Sequence, residues 1–186
     1  MSTNAQNIFL IGPMGSGKTT VGKQLAKILG LKFYDCDQEL ERLTGASVNL
    51  IFDVEGEAGF RVRENGMLDK LTAMNGVLVA TGGGVVGNEE NRQMLRTRGF
   101  VVYLKTSIEK QLKRLGQDKS RPLLQSEDKV QRLKDLAQER NPLYDATADL
   151  VFNTRNSSVR ASAKALSSAI IELVEPLKPE TPDADS

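Results

Sequence analysis

Histidine is absent from the 186 residues. With it go the Ser-His-Asp and Cys-His nucleophile systems, imidazole proton shuttles and the usual zinc sites. The single cysteine, Cys36, has no partner for an internal disulfide, and the polar run over residues 1–7 lacks the basic-then-apolar pattern of a secretory leader. A cytoplasmic protein is therefore expected. Long apolar runs are missing too: the longest, at 77–80 and 101–104, are strand length, far short of the roughly 18 residues that span a bilayer. No membrane association is expected. An excess of one charge is also lacking, because 25 basic against 24 acidic residues leave a formal +1. Nucleic acid is not an expected partner, since the chain has no global field to hold a polyanion. Any anion site must be local.

What is present describes an ordinary folded domain. At about 150 residues per domain, the length favours one, and 39% apolar with 26% charged residues suffices for a sizeable core. Short apolar runs at 7–11, 31–34, 76–80, 100–104 and 148–152 read as strands. Helical stretches at 19–29, 38–43, 64–74, 89–98, 108–115, 128–140 and 159–174 separate them. Fully apolar strands divided by amphipathic helices predict a three-layer α/β domain around a parallel sheet. Residues 175–186 hold three of the six prolines and four carboxylates, so a single domain over 1–175 with a disordered acidic tail at 176–186 is expected.

The first strand runs into Gly12-Pro13-Met14-Gly15-Ser16-Gly17-Lys18-Thr19, which matches G-x-x-x-x-G-K-[ST] between a strand and a helix, as a phosphate-binding loop requires. Glycines let backbone N–H groups curl around phosphate oxygens, the helix N-terminus adds positive potential, Lys18 brings a mobile charge, and the Thr19 hydroxyl can ligate Mg²⁺. A phosphate loop alone leaves open a nucleotide switch or motor and a phosphotransferase. The chain has no N-K-x-D stretch to read guanine, and its third strand does not end in the acidic residue of a Walker B motif, which weakens the switch reading. The metal carboxylate is then sought at Asp35-Cys36-Asp37, directly after the second strand, at the edge where α/β sheets bind ligands.

If the extended conformation persists, Asp35 and Asp37 point the same way, one to metal and one to a substrate hydroxyl; alternatively, Asp37 caps the next helix. Cys36 between them reads as a small filler. Phe60-Arg61-Val62-Arg63-Glu64 opens a helical stretch in which Glu64 can brace the Arg61 guanidinium at i, i+3, giving either an anion clamp or a solvated ion pair. Thr81-Gly82-Gly83-Gly84 follows the third strand, and its glycines either let a ligand lie flat on backbone N–H groups or form only a loose turn. Arg121 stands in the basic loop around Lys119-Ser120-Arg121-Pro122, and Arg140 at a helix end in Glu139-Arg140-Asn141-Pro142-Leu143-Tyr144.

Taken together, GPMGSGKTTVG, DCD, FRVRE, TGGG, RPLL and ERNPLY resemble the shikimate kinase family in order and spacing over residues 7 to about 155. The resemblance implies a nucleoside-monophosphate-kinase-like P-loop fold with sheet order 2-3-1-4-5 and a mobile lid. It implies transfer of the ATP γ-phosphoryl group to the 3-hydroxyl of shikimate, with Mg²⁺ as cofactor, in a monomer. Carried over by motif, Gly15, Ser16, Gly17, Lys18, Thr19 and Thr20 would hold the ATP phosphates, joined by Arg121 from the lid. Thr19 and Asp35 would serve the metal. Asp37, Arg61, Gly82, Gly83, Gly84 and Arg140 would meet shikimate, and Lys18, Asp37 and Arg121 would carry the chemistry.

Overall fold

In the computed structural model, which describes residues 6–116, 128–155 and 157–174, the strands form one parallel sheet in the order β2-β3-β1-β4-β5. The strands are β1 (Ile8–Ile11), β2 (Lys32–Asp35), β3 (Val77–Ala80), β4 (Phe100–Lys105) and β5 (Leu150–Asn153). The helices are α1 (Lys18–Leu29), α2 (Cys36–Thr44), α3 (Val48–Thr72), α4 (Glu89–Arg98), α5 (Ile108–Leu115), α6 (Lys129–Thr147) and α7 (Val159–Val174). The expected lid around Arg121 and the expected disordered tail at 176–186 lie outside the described residues.

Strand alternation splits the core into two faces. Phe9, Ile11, Val77, Val79, Val101 and Tyr103 pack on one side with Leu68 and Leu71 of α3, Leu95 of α4 and Tyr144 of α6. On the other, Ile8, Leu10, Leu78, Val102 and Leu104 meet Leu25 of α1 and Leu166 and Ile170 of α7. Three layers result, and β1 and β3 are wholly buried because helices cover both their faces. At one end of the sheet the buried Asn7 ties β1 to its neighbour: its amide donates to the Met74 carbonyl at 2.6 Å, and its Oδ1 accepts from Val77 N at 3.1 Å. At the carboxyl ends of β1, β2 and β3 the chain is left free to build a site.

Three helices differ from their expected bounds by two residues or more. α2 begins two residues early, because Asp35 rather than Asp37 is its N-cap. α3 starts at Val48, where Ser47 Oγ accepts from Leu50 N at 3.1 Å, and Gly56 at φ 71, ψ −178 breaks it in two. That glycine interrupts the apolar period, so Phe60 and Arg61 lie inside a helix rather than at its start. α6 runs on through Pro142 to Thr147, which places Arg140 within the helix instead of at its end. Proline removes one hydrogen bond, but Tyr144 and Thr147 beyond it are buried, and that burial carries the helix through.

Candidate active site

The phosphate loop is closed by its own atoms. Gly17 stands at the entrance of α1 with φ 90, a left-handed conformation that a side chain would disfavour. Lys18 is buried, and its Nζ donates to the carbonyls of Gly12 and Pro13 at 2.7 and 2.9 Å. Its charge is held inside the loop, next to where anionic oxygens would seat. From α5, Gln111 Nε2 donates to the Met14 carbonyl at 2.9 Å and Arg114 donates to the Gly15 carbonyl at 2.7 Å, so a second element fixes the loop's outer turn. Thr20 turns back on the Gly17 carbonyl at 3.3 Å.

Asp35 links this loop to α2. Its Oδ1 accepts from the backbone N–H groups of Asp37 and Gln38 at 3.0 and 3.1 Å, and its Oδ2 accepts from Thr19 Oγ1 at 2.6 Å. The extended backbone therefore stops at Asp35, and the expectation that Asp35 and Asp37 project together from a strand is corrected: Asp37 sits in the first turn of α2. One carboxylate caps the helix and the other stands within its first turn. Asp35 lines only the phosphate cleft, with Gly15, Gly17, Lys18, Thr19, Thr20 and Thr81, whereas Asp37 lines both that cleft and its neighbour. Cys36 is buried between them, and burial first, with Asp37 and Asp35 adding to it, pushes its thiol up and out of reactivity.

The neighbouring cleft joins an apolar wall to a few convergent polar groups, the make-up of a small-molecule site. Its apolar wall is Met14, Val48, Phe52 and Phe60; its polar groups are Asp37, Arg61, Glu64, Arg140 and the backbone of Gly82–Gly84. Arg61 Nη1 donates to Glu64 Oε1 at 2.7 Å, and the Glu64 side chain is 2% exposed. Burial lifts the Glu64 carboxyl above the ordinary range, and Arg61 opposes that lift. This is an anchored pair rather than a solvated one. Arg140 is also buried, yet among the described residues no carboxylate closes an ion pair with it. A buried cation in that condition favours an anionic ligand.

The TGGG segment is ordered by its surroundings. Thr81 donates through both N and Oγ1 to the Leu10 carbonyl, at 3.1 and 2.9 Å. A Cβ at Gly82 would fall 2.6 Å from Glu64 Oε2, and one at Gly84 would fall 2.6 Å from Arg61 Cζ. The glycines thus make room for the protein's own guanidinium and carboxylate, in addition to any ligand.

A family model described as shikimate kinase matches residues 14–171. The chain belongs to the shikimate kinase family. A shikimate kinase from Histophilus somni is 50% identical over 174 residues, covering 93% of this chain and 97% of that protein. Shikimate kinase 1 of Erwinia tasmaniensis is 53% identical over 171 residues, 91% of this chain and 96% of the relative. The solved shikimate kinase from Acinetobacter baumannii in complex with shikimate superposes with a TM-score of 0.89 at 47% identity, covering 93% of this chain and 96% of that one. Shikimate kinases are ATP-dependent phosphotransferases of aromatic amino-acid biosynthesis.

Within this shikimate kinase fold, the residues named from motifs fall around two adjoining clefts, and Arg121 alone lies outside the described residues. Sequence reasoning assigned no role to the apolar wall of Met14, Val48, Phe52 and Phe60. One signal was available: Val48 and Phe52 stand at i, i+4 just after a serine cap, and Phe52 stacks on Phe60 at 4.5 Å between centroids. Gln111 and Arg114 carry no motif, and only the fold reveals their grip on the loop.

Proposed function

We propose that this chain transfers the γ-phosphoryl group of ATP to the 3-hydroxyl of shikimate, yielding shikimate 3-phosphate and ADP. The observation that carries the reading is Asp37, which lines both the phosphate cleft and the adjoining pocket whose far side holds two arginines. A carboxylate at such a junction meets an acceptor hydroxyl on one side and a nucleotide on the other. In this proposal Arg61 and Arg140 grip the acceptor's carboxylate through charge-assisted hydrogen bonds. The Gly82, Gly83 and Gly84 backbone flanks it, and the phenyl rings cover the apolar edge of the ring.

Phosphoryl transfer proceeds through a loose transition state, so positioning and charge neutralisation outweigh strong base catalysis, and a chain without histidine loses nothing. Lys18 leaves the loop carbonyls for the phosphoryl oxygens and stabilises charge there. Asp37 orients the attacking hydroxyl and takes its proton late in the transfer. Gly15, Ser16, Gly17, Thr19 and Thr20 supply N–H and hydroxyl donors to the phosphates, and Arg121 adds a further charge to ATP. A hydroxyl and a carboxylate oxygen 2.6 Å apart, Thr19 Oγ1 and Asp35 Oδ2, form a hard-oxygen pair of the kind Mg²⁺ takes when phosphates and water complete its shell. We assign the metal to them; bound there, it would neutralise phosphate charge.

One chain lines both clefts, which supports a monomer of a single kinase domain. Among the described residues no helix is long and apolar enough to cross a membrane, and a net charge of +1 offers nucleic acid no hold. A cytoplasmic site of action fits one buried thiol. The test is a coupled ADP-release assay with shikimate, gluconate, AMP or no acceptor. Shikimate alone should drive turnover, and it should require Mg²⁺. Equal ADP release without any acceptor would overturn the assignment in favour of a nucleotide hydrolase or switch.

A further inference from the structure

Tyr144 lines neither cleft itself: it lines a smaller cavity, together with Gln111, Leu136, Asn141 and Arg140. Its ring is 1% exposed and leans on Tyr103 with 4.9 Å between centroids. A phenylalanine would serve that packing as well. The phenolic hydroxyl has a separate task, since it donates to the carbonyl of Gly83. That carbonyl belongs to a loop of three consecutive glycines, which has more backbone freedom than any other stretch of three residues could have. Four residues earlier on the same helix face stands Arg140, whose Nη1 lies 3.7 Å from where a Gly83 Cβ would be.

Resting on the reading that this pocket binds shikimate, we infer that Tyr144 is a positioning residue, a strut from α6 to the β3 loop that holds the Gly83 peptide and Arg140 in fixed relation to the acceptor's carboxylate. One hydroxyl then fixes both a backbone group and a guanidinium that face the same end of the ligand. Burial keeps the phenol protonated well beyond neutral pH, so it remains a donor throughout the working range. Tyr103, the other half of the aromatic pair, instead donates to Asn141 Oδ1 at 3.3 Å, a residue that lines neither the acceptor cleft nor the phosphate cleft.

The test compares Tyr144→Phe with Tyr103→Phe, each of which removes one buried hydroxyl from the same stacked pair. By calorimetry, Tyr144→Phe should weaken shikimate binding about five- to tenfold, the cost of one lost buried hydrogen bond. KM for shikimate should rise in step, while kcat and KM for ATP stay within about twofold. Tyr103→Phe should leave all three unchanged. Tyr144→p-aminophenylalanine, which restores a donor in place, should recover most of the lost affinity, and its comparison with wild type serves if the Phe variant does not fold. Unaltered shikimate affinity in Tyr144→Phe overturns the inference; so does an equal loss in Tyr103→Phe, or an equal rise in KM for ATP, since either marks general loosening. A wild-type protein that neither binds nor phosphorylates shikimate sinks the proposed function itself, and it is measured first.

Discussion

The phosphate cleft draws most of its lining from one continuous stretch within residues 15–20, closed by Asp35, Asp37 and Thr81, and its groups satisfy one another: Lys18 rests on two carbonyls of its own loop and Thr19 on Asp35. The acceptor cleft draws on five separate segments, one residue from the phosphate loop, one from α2, five from α3, three glycines after β3 and Arg140 from α6. Its charges are left incomplete. A self-satisfied local loop serves any nucleoside triphosphate, whereas an assembled pocket with a buried guanidinium that closes no ion pair among the described residues selects one kind of anion. Generality lies in the backbone of the first cleft and selectivity in the side chains of the second.

Lys18→Ala breaks the first cleft most severely. Turnover should fall at least about a hundredfold, as when one preorganised donor to developing charge is removed, while calorimetry finds shikimate affinity within about twofold of wild type. A loss of less than about tenfold would correspond to less than ~1.4 kcal/mol of transition-state stabilisation and would remove Lys18 from the chemistry.

Next in size come the two arginines, which the comparison separates. Arg140→Ala and Arg61→Ala should each weaken shikimate binding at least about tenfold, with lysine a poor substitute at both positions. Their stabilities should diverge. Arg61→Ala strands the buried Glu64 carboxylate and should cost about 2 kcal/mol, whereas Arg140→Ala removes a cation that closes no ion pair among the described residues and acts on Glu64 only at longer range, and should lower Tm less. Burial already raises Glu64 above the ordinary carboxylate range, so the folded chain binds that proton more tightly than the unfolded one. This contribution to stability is present at low pH and is lost as pH rises from the unfolded pKa, about 4.3, through the folded one. Without Arg61 the loss should steepen, and thermal melts should show the Arg61→Ala deficit to be smaller near pH 5 than near pH 7.5.

Asp35→Asn probes the link between the phosphate loop and α2. Asparagine caps a helix as well as aspartate does, so α2 and the melting temperature should persist, yet the Mg²⁺ concentration for half-maximal rate should rise about tenfold. Unchanged Mg²⁺ dependence would limit Asp35 to capping. The smallest effect belongs to Gly84→Ala, whose methyl meets the movable end of Arg61. KM for shikimate should rise roughly threefold with KM for ATP unaltered; equal rises in both would mean the methyl disturbs the sheet edge rather than the arginine.

The contrast between the clefts also explains what could be read in the sequence. The phosphate loop was legible because strand, glycines, lysine and helix are contiguous, and the pairing of Arg61 with Glu64 because i, i+3 neighbours share a helix face. Resemblance supplied the strand order, which no local pattern encodes. Helix α3 was half hidden, because Gly56 interrupts its period, and with it went Val48 and Phe52. Proline at 142 marked an end that the burial of Tyr144 overrides. Asp35 and Asp37 were read as strand neighbours because the point where β2 ends depends on which carboxylate captures the N–H groups of α2, and that is settled by Thr19 from another element.

The collisions awaiting a Cβ at Gly82 and Gly84 bear on how this pocket can evolve. At Gly82 and Gly84 the wall made by the β3 loop admits no larger residue without displacing Glu64 or Arg61, so those two positions resist gradual retuning. The opposite wall, Val48 and Phe52 on the outer arm of α3, is made of side chains that can be shortened or reshaped without touching either arginine. A lineage, or a library, seeking a bulkier hydroxylated acid as acceptor has its accessible mutations on that arm.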